Sequence, residues 1–154
     1  MGAVHLGSGN DTFNGTGGTS GSVFSEDGND VLKGGSHNDA LIGGLGKDAL
    51  TDAAGADKFV FNAVLDSVLG ANHDSILDFS HTQNDKIDPH VIDANSTLGG
   101  DQAFHFIGSQ GFHHVAGELR FGNHLLRGDT DGNSVADFEV HVNAAQLATG
   151  DFIL

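Results

Sequence analysis

Cysteine, tryptophan and tyrosine are absent from the 154 residues, and proline occurs once, at Pro89. Without cysteine there are no disulfides, no thiolate metal sites and no cysteine nucleophile. Lysine and arginine number only 6 against 21 Asp and Glu, for a net charge of −15. So few scattered cations exclude a basic nucleic-acid footprint. No apolar run approaches the ~18–20 residues needed to span a bilayer. No cationic start leads into an apolar stretch, so an N-terminal signal peptide is not expected. The length favours one domain.

What is present is aspartate and glycine. The only glutamates are Glu26, Glu118 and Glu139, so nearly all the acid is Asp. Glycine numbers 24. Asp with Gly favours tight turns, and loops rich in Asp oxygen suit hard cations such as calcium. A hydrophobic content of 38% suffices for a core, although this much like charge works against compaction.

The first 62 residues hold 14 of the glycines, and they repeat. Asp30, Asp39, Asp48 and Asp57 fall every nine residues, and two places after each stands Leu32, Leu41, Leu50 or Phe59. The units are SEDGNDVLK (25–33), GGSHNDALI (34–42), GGLGKDALT (43–51) and DAAGADKFV (52–60). An earlier unit, LGSGNDTFN (6–14), puts Asp11 and Phe13 in the same slots. Between them TGGTSGSVF (16–24) keeps Val23 but has Gly21 where Asp belongs. Six turns result, the second degenerate and preceded by one inserted residue. Ser25-Glu26 and Asp52-Ala53 replace the Gly-Gly pair, and His37 and Ala54 interrupt the pattern. A flexible Gly/Asp linker would not hold four units in strict phase.

These units resemble the nonapeptide Gly-Gly-x-Gly-x-Asp-x-apolar-x of the RTX (repeats-in-toxin) proteins. That resemblance implies an all-β fold, a right-handed calcium-binding parallel β-roll. The residues agree with it. Six positions rich in Gly and Asp make a turn, since Gly reaches φ > 0 and lets carbonyls crowd together. Three more make a short strand with its middle side chain inward. Two units complete a coil, so units two apart stack. Calcium ligands are then expected at Asp11, Asp30 and Asp48 along one edge and at Asp39 and Asp57 along the other. About three or more ions would sit between Asp11/Asp30, Asp30/Asp48 and Asp39/Asp57. The inward columns would be Phe13, Leu32, Leu50 and Val23, Leu41, Phe59.

Residues 63–154 read as a β-rich cap that packs on the roll in one elongated module. Alternation predicts strands over 58–62, 74–79, 103–107, 117–121 and 137–142. Asp88-Pro89 predicts a short turn, and residues 143–149 a short helix stopped at Gly150. A solenoid end exposes apolar residues and unpaired edges, so it needs such a cap. GADKFVF (55–61), DSILDFSHTQNDKID (74–88), AGELRF (116–121) and DFIL (151–154) resemble the C-terminal region of serralysin-type metalloproteases and the R-modules of secreted mannuronan C5-epimerases. The length leans towards the epimerase module; AGELRF and VADFEV lean towards the protease.

Little else carries chemistry. There is no His-Glu-x-x-His, no Gly-x-Ser-x-Gly elbow and no P-loop. The ten His are scattered, with solvated surface positions expected for most; a transition-metal site at His113 or His114 is a minor alternative. In 128–140, Asp129, Asp131, Asn133 and Asp137 are spaced as in calcium loops. Ser134 stands where an EF-hand has its Gly, and Val140 where it has its closing Glu. A hairpin turn is preferred there, with calcium as the second reading. Asp78, Asp85 and Asp88 raise a similar question where roll meets cap.

The expectation is therefore a non-catalytic calcium-binding module, a monomer, of a secreted bacterial enzyme, foremost an alginate epimerase. Its partners would be the parent's catalytic module, a type I exporter reading the terminal Asp-Phe-Ile-Leu, and alginate only weakly, because both are polyanions. The alternatives are the C-terminal RTX domain of a serralysin-type metalloprotease or lipase, an adhesin module, or catalysis by this chain.

Overall fold

The structure is a computed structural model and describes residues 2–16 and 21–154. Met1 and the turn residues 17–20 of the degenerate second unit lie outside the described residues. Nine residues per half-coil send successive strands alternately to two parallel sheets. One sheet runs β1 (Val4–His5), β3 (Ser22–Phe24), β5 (Ala40–Ile42), β7 (Lys58–Val60) and β9 (Lys86–Asp88). The other contains β2 (Thr12–Asn14), β4 (Val31–Lys33), β6 (Ala49–Thr51) and β8 (Asp74–Ile76). It then continues through β13 (Phe138–Val142), β12 (Leu125–Asp129), β11 (Glu118–Gly122) and β10 (His105–Phe106). This is a parallel β-roll.

The register follows the repeat. Phe13 pairs with Leu32, Leu32 with Leu50, and Leu50 with Ile76. In the facing sheet Val23 pairs with Leu41, Leu41 with Phe59, and Phe59 with Ile87. Leu32, Leu41, Leu50, Phe59, Ile76 and Ile87 have no exposed surface. Burying each such side chain contributes about 1.5–3 kcal/mol. The columns therefore do not stop at residue 62: β8 and β9 add one more coil to both sheets.

The turns are crowded enough to need glycine. A Cβ on Gly46 would run into the carbonyl of Gly28, and one on Gly28 into that of Gly9. Where the sequence departs from Gly-Gly, the backbone conformation is kept: Gly44 has φ +83°, and Glu26 and Ala53, nine-residue phase mates of it, sit at +73° and +75°. L-residues reach this left-handed region only at a cost of about 1 kcal/mol or more.

Beyond the roll, β11, β12 and β13 form an antiparallel meander whose last strand joins the roll by parallel pairing, Val140 with Asp74 and Val142 with Ile76. One core runs through both parts; Phe61 from the roll meets Phe138 from the cap edge-on, with ring centroids 5.3 Å apart. Turn 129–137 does join β12 to β13. Strand β9 was not anticipated from the alternation pattern. The helix expected over 143–149 does not form: only a 3₁₀ turn, Thr149–Asp151, is present, and the Ala148 N–H donates to Asp151 Oδ2 at 2.6 Å. Seven residues are too few to repay helix nucleation. The terminal segment folds back onto β9: the Ile153 N–H donates to the Ile87 carbonyl at 3.0 Å, and Phe152 packs on Phe106 at 4.8 Å.

Candidate cation-binding ladders

From Asp30 onward each repeat Asp accepts a backbone N–H of the preceding coil. The Asp11 N–H donates to Asp30 Oδ1 at 2.7 Å, the Asp30 N–H to Asp48 Oδ1 at 2.8 Å, and the Asp48 N–H to Asp74 Oδ1 at 2.7 Å. On the opposite edge the Gly21 N–H donates to Asp39 Oδ1 at 3.1 Å, the Asp39 N–H to Asp57 Oδ1 at 2.5 Å, and the Asp57 N–H to Asp85 Oδ1 at 3.3 Å. One carboxylate oxygen per residue thus staples a coil to its neighbour. A parallel ladder of exposed Asn does likewise outside it, with the Asn29 N–H on Asn10 Oδ1 and the Lys47 N–H on Asn29 Oδ1, both at 2.9 Å.

The second oxygens are the informative ones. Oδ2 of Asp11, Asp30, Asp48, Asp57 and Asp74 is buried and finds no hydrogen-bond donor among the described residues. Asp39 differs, since its Oδ2 accepts from the Gly35 N–H at 2.8 Å. A buried, unpaired carboxylate oxygen is costly, and no ion pair reaches these residues among those described. Burial, with Asp30 and Asp66 beside it, raises the Asp48 carboxyl to about 7 against its backbone hydrogen bond. Burial, with Asp48, Asp66 and Asp30 near, raises Asp74 to about 8. Burial, with Asp85, Asp39 and Asp78, raises Asp57 to about 6. Anionic oxygens stacked at coil spacing, with crowded carbonyls beside them, are a donor set for a hard cation, and the residues fit calcium.

The structure brings together every repeat Asp named from the sequence and adds Asp74 and Asp85. Both carry the repeat's own signal, Asp-x-apolar, in Asp74-Ser75-Ile76 and Asp85-Lys86-Ile87. Asp48 to Asp74 is 26 residues and Asp57 to Asp85 is 28, against 18 for two regular repeats, because the connections 61–73 and 77–84 are longer than a repeat turn.

The loop 129–137 is built differently. Asp129, Asp131 and Asp137 do lie together. Asp129 Oδ1 already accepts from the N–H groups of Asp131 and Gly132, and Oδ2 from that of Ser134 at 2.8 Å. Asp137 Oδ2 holds Thr130 through its N–H and hydroxyl, both 2.8 Å, and Asn133 turns its amide onto Asp131 at 2.9 Å. Five of the ten histidines pair with a carboxylate: His5 with Glu26, His73 with Glu139, His81 with Asp151, His90 with Asp88 and His113 with Glu118. His113 is thereby committed to Glu118, at 2.7 Å, and His114 donates its N–H to Ser134.

The family described as Peptidase M10 serralysin C terminal matches residues 3–154. The chain belongs to that family. It is a calcium-binding RTX module. Among 25 solved chains that match is the AlgE6R3 subunit of the Azotobacter vinelandii mannuronan C5-epimerase, determined in solution. The likeness has a TM-score of 0.60 at 28% identity and covers 96% of this chain and 80% of that one. No curated protein matches.

Proposed function

We propose that this chain is the non-catalytic calcium-binding R-module of a secreted mannuronan C5-epimerase, in which calcium drives folding of the roll outside the cell. The observation that carries the calcium assignment is the row of orphaned Oδ2 atoms on Asp11, Asp30, Asp48, Asp57 and Asp74. In this reading ions lie between Asp11/Asp30, Asp30/Asp48, Asp48/Asp74 and Asp39/Asp57, and the charge each carries offsets neighbouring carboxylates. Asp129, Asp131, Asn133 and Asp137 are read as a self-satisfied turn rather than a ligand set. The division into roll and cap is one of role, since the cap closes the end that the last coil leaves open. Among the described residues no helix is long and apolar enough to cross a membrane.

The epimerase assignment rests on the AlgE6R3 likeness over nearly the whole chain. The family match favours a second reading, the C-terminal domain of a serralysin-type metalloprotease. In both, the partners are a catalytic module and a type I exporter, and the location is extracellular. Alginate binding is expected to be weak, because three or four calcium ions leave the net charge of −15 well short of neutral. A far-UV circular dichroism titration tests the central claim. Calcium in the ~10⁻⁴–10⁻³ M range of extracellular modules should build the strand signal. An EDTA-treated chain with unchanged strand signal and Tm would sink it. Joining this module to a mannuronan epimerase catalytic module, and separately to a metalloprotease one, distinguishes the two parents by which activity it raises.

A further inference from the structure

Three histidines meet on the sheet face turned away from the core, where the cap joins the roll. The strand register puts them there. His141 lies on β13, between Leu125 of β12 and Ser75 of β8. Its neighbours Val140 and Val142 are completely buried, so strand alternation turns Glu139 and His141 to the other face. His73 immediately precedes β8, which sets it across from Glu139. His124 closes the two-residue turn between β11 and β12, at φ +62°. The rings of His73 and His141 are 6.4 Å apart, and those of His124 and His141 6.0 Å, centroid to centroid.

Neither His124 nor His141 pairs with a carboxylate among the described residues. His73 does, and that pairing prepares it to act as a ligand. Its Nδ1 lies 3.0 Å from Glu139 Oε1, and Glu139 is itself fixed by Arg127 Nε at 2.6 Å and the Gly70 N–H at 3.1 Å. A carboxylate on one ring nitrogen holds the proton there and leaves the other, Nε2, with a free lone pair. Burial, with His73 and His124 near, holds His141 below the ordinary histidine value and keeps its ring in the neutral form that binds metals. Zinc takes an imidazole nitrogen at about 2.0–2.1 Å, which sets bound rings roughly 5 Å apart. The spacings here exceed that by roughly 1 Å, a distance that side-chain rotation covers, and His124 is exposed on its turn and free to rotate.

We infer that His73, His124 and His141 form a transition-metal site, with zinc as the ion and Glu139 as the residue that positions His73. The site uses no ladder Asp and goes beyond the calcium reading, because imidazole selects zinc-like metals whereas carboxylate and carbonyl oxygen select calcium. Three protein ligands leave the fourth zinc position to water. The ion would tie the β11–β12 turn and β13, both of the cap, to the start of β8 in the roll. Cap and roll would then be joined by a metal as well as by their common core.

The rival account is a packed row of rings that binds nothing. Calorimetry of the full chain with zinc chloride separates the two, at saturating calcium so that the ladder carboxylates are occupied. Wild type should take up one zinc per chain. His124→Gln and His141→Gln should each weaken zinc binding about tenfold or more, with the calcium-induced strand signal unchanged. His37→Gln, exposed in a turn of the roll, should bind zinc as wild type does. No zinc uptake by wild type, or affinities within about twofold across all three variants, would overturn the inference and leave the calcium reading intact. Imidazole NMR of the wild type needs no variant. The ring signals of His73, His124 and His141 should shift together and saturate at one equivalent of zinc. A response at His73 alone, or at none of the three, would also overturn the site.

Discussion

The carboxylates of the cap and those of the roll are buried to similar degrees and satisfied in opposite ways. Glu139 is taken by Arg127 Nε at 2.6 Å, by His73 and by the Gly70 N–H. Against burial, these partners hold it below the usual glutamate value. Glu118, likewise against burial, is lowered by the His113 N–H groups. In the roll, Asp48, Asp57 and Asp74 have one backbone N–H each and an orphaned second oxygen, and burial among like charges raises all three. The cap brings its own cations; the roll needs them from solution. One core spans both, so a chain that is continuous in packing is divided in what it requires of its surroundings.

Removing calcium is the strongest way to force the two apart. A ligand at a hundredfold excess over its Kd adds about 2.7 kcal/mol per site. Three or four sites together then rival the ~5–15 kcal/mol total stability of a domain. In EDTA, hydrogen exchange should become fast at the amides of β4, β5, β6 and β7. The β11–β12–β13 meander should keep more of its protection. Equal loss in both regions would mean that the cap depends on the ions as much as the roll does.

Acid should act on the two regions with opposite signs when calcium is absent. Asp48, Asp57 and Asp74 have folded values of about 7, 6 and 8 against 3.8 unfolded. Their contribution to stability is full below about pH 3.8 and is lost as pH rises through about 6–8. Glu118 and Glu139 are lowered from 4.5, so theirs is present above that value and lost as pH falls below it. Melts of the calcium-free chain should therefore show strand signal from the roll strengthening from pH 8 to pH 5. With millimolar calcium that rise should vanish, because the ions replace the protons. A calcium-free roll that weakens steadily from pH 8 to pH 5 would contradict the assignment of unpaired carboxylates.

Single substitutions sharpen the contrast within the roll. Asp30 is buried, accepts the Asp11 N–H and lies between two ladder gaps. Asp30→Ala should lower calcium affinity about tenfold or more and cost roughly 1–3 kcal/mol from the donor it abandons. Asp27 is three residues away, with its side chain exposed and only its backbone bridged to Leu45. Asp27→Ala should stay within about 0.5 kcal/mol. Calorimetry on the pair checks this, and equal loss of affinity would mean that the nine-residue phase is not the ligand phase.

The roll was legible because every repeat places the same residue at the same height. Asp30, Asp39, Asp48 and Asp57, and the Leu and Phe two places on, stand where the period puts them. Asp74 and Asp85 were harder to see because insertions hide their phase, though each keeps Asp-x-apolar. Asp52 could be noticed as a departure from Gly-Gly, but its burial beside Asp57 and Asp85 depends on a coil that no period predicts. The cap was legible only as alternation. Strand β9, which belongs to the roll's last coil on the β7 edge, was hidden because the longer connection before it breaks the nine-residue phase. Pairings such as Arg127 with Glu139 join residues whose relation is set by the register of β12 on β13.

The smallest effect is expected in the one part of the cap whose sequence imitates a calcium loop. Asp131 is exposed, and its oxygens hold Asn133 through the backbone N–H at 3.0 Å and the side-chain amide at 2.9 Å. Asp129 spends both oxygens on three N–H groups of the turn, so the local backbone already supplies what an ion would. A cation entering there would have to displace hydrogen bonds, whereas one entering the roll meets oxygens with none. Asp131→Ala should therefore shift stability by no more than about 0.5 kcal/mol and leave the count of bound calcium ions unchanged. Dialysis of this variant beside Asp30→Ala provides the measurement. The loss of an ion from Asp131→Ala would turn this turn into a site and erase the division between a cap that satisfies its own charge and a roll that does not.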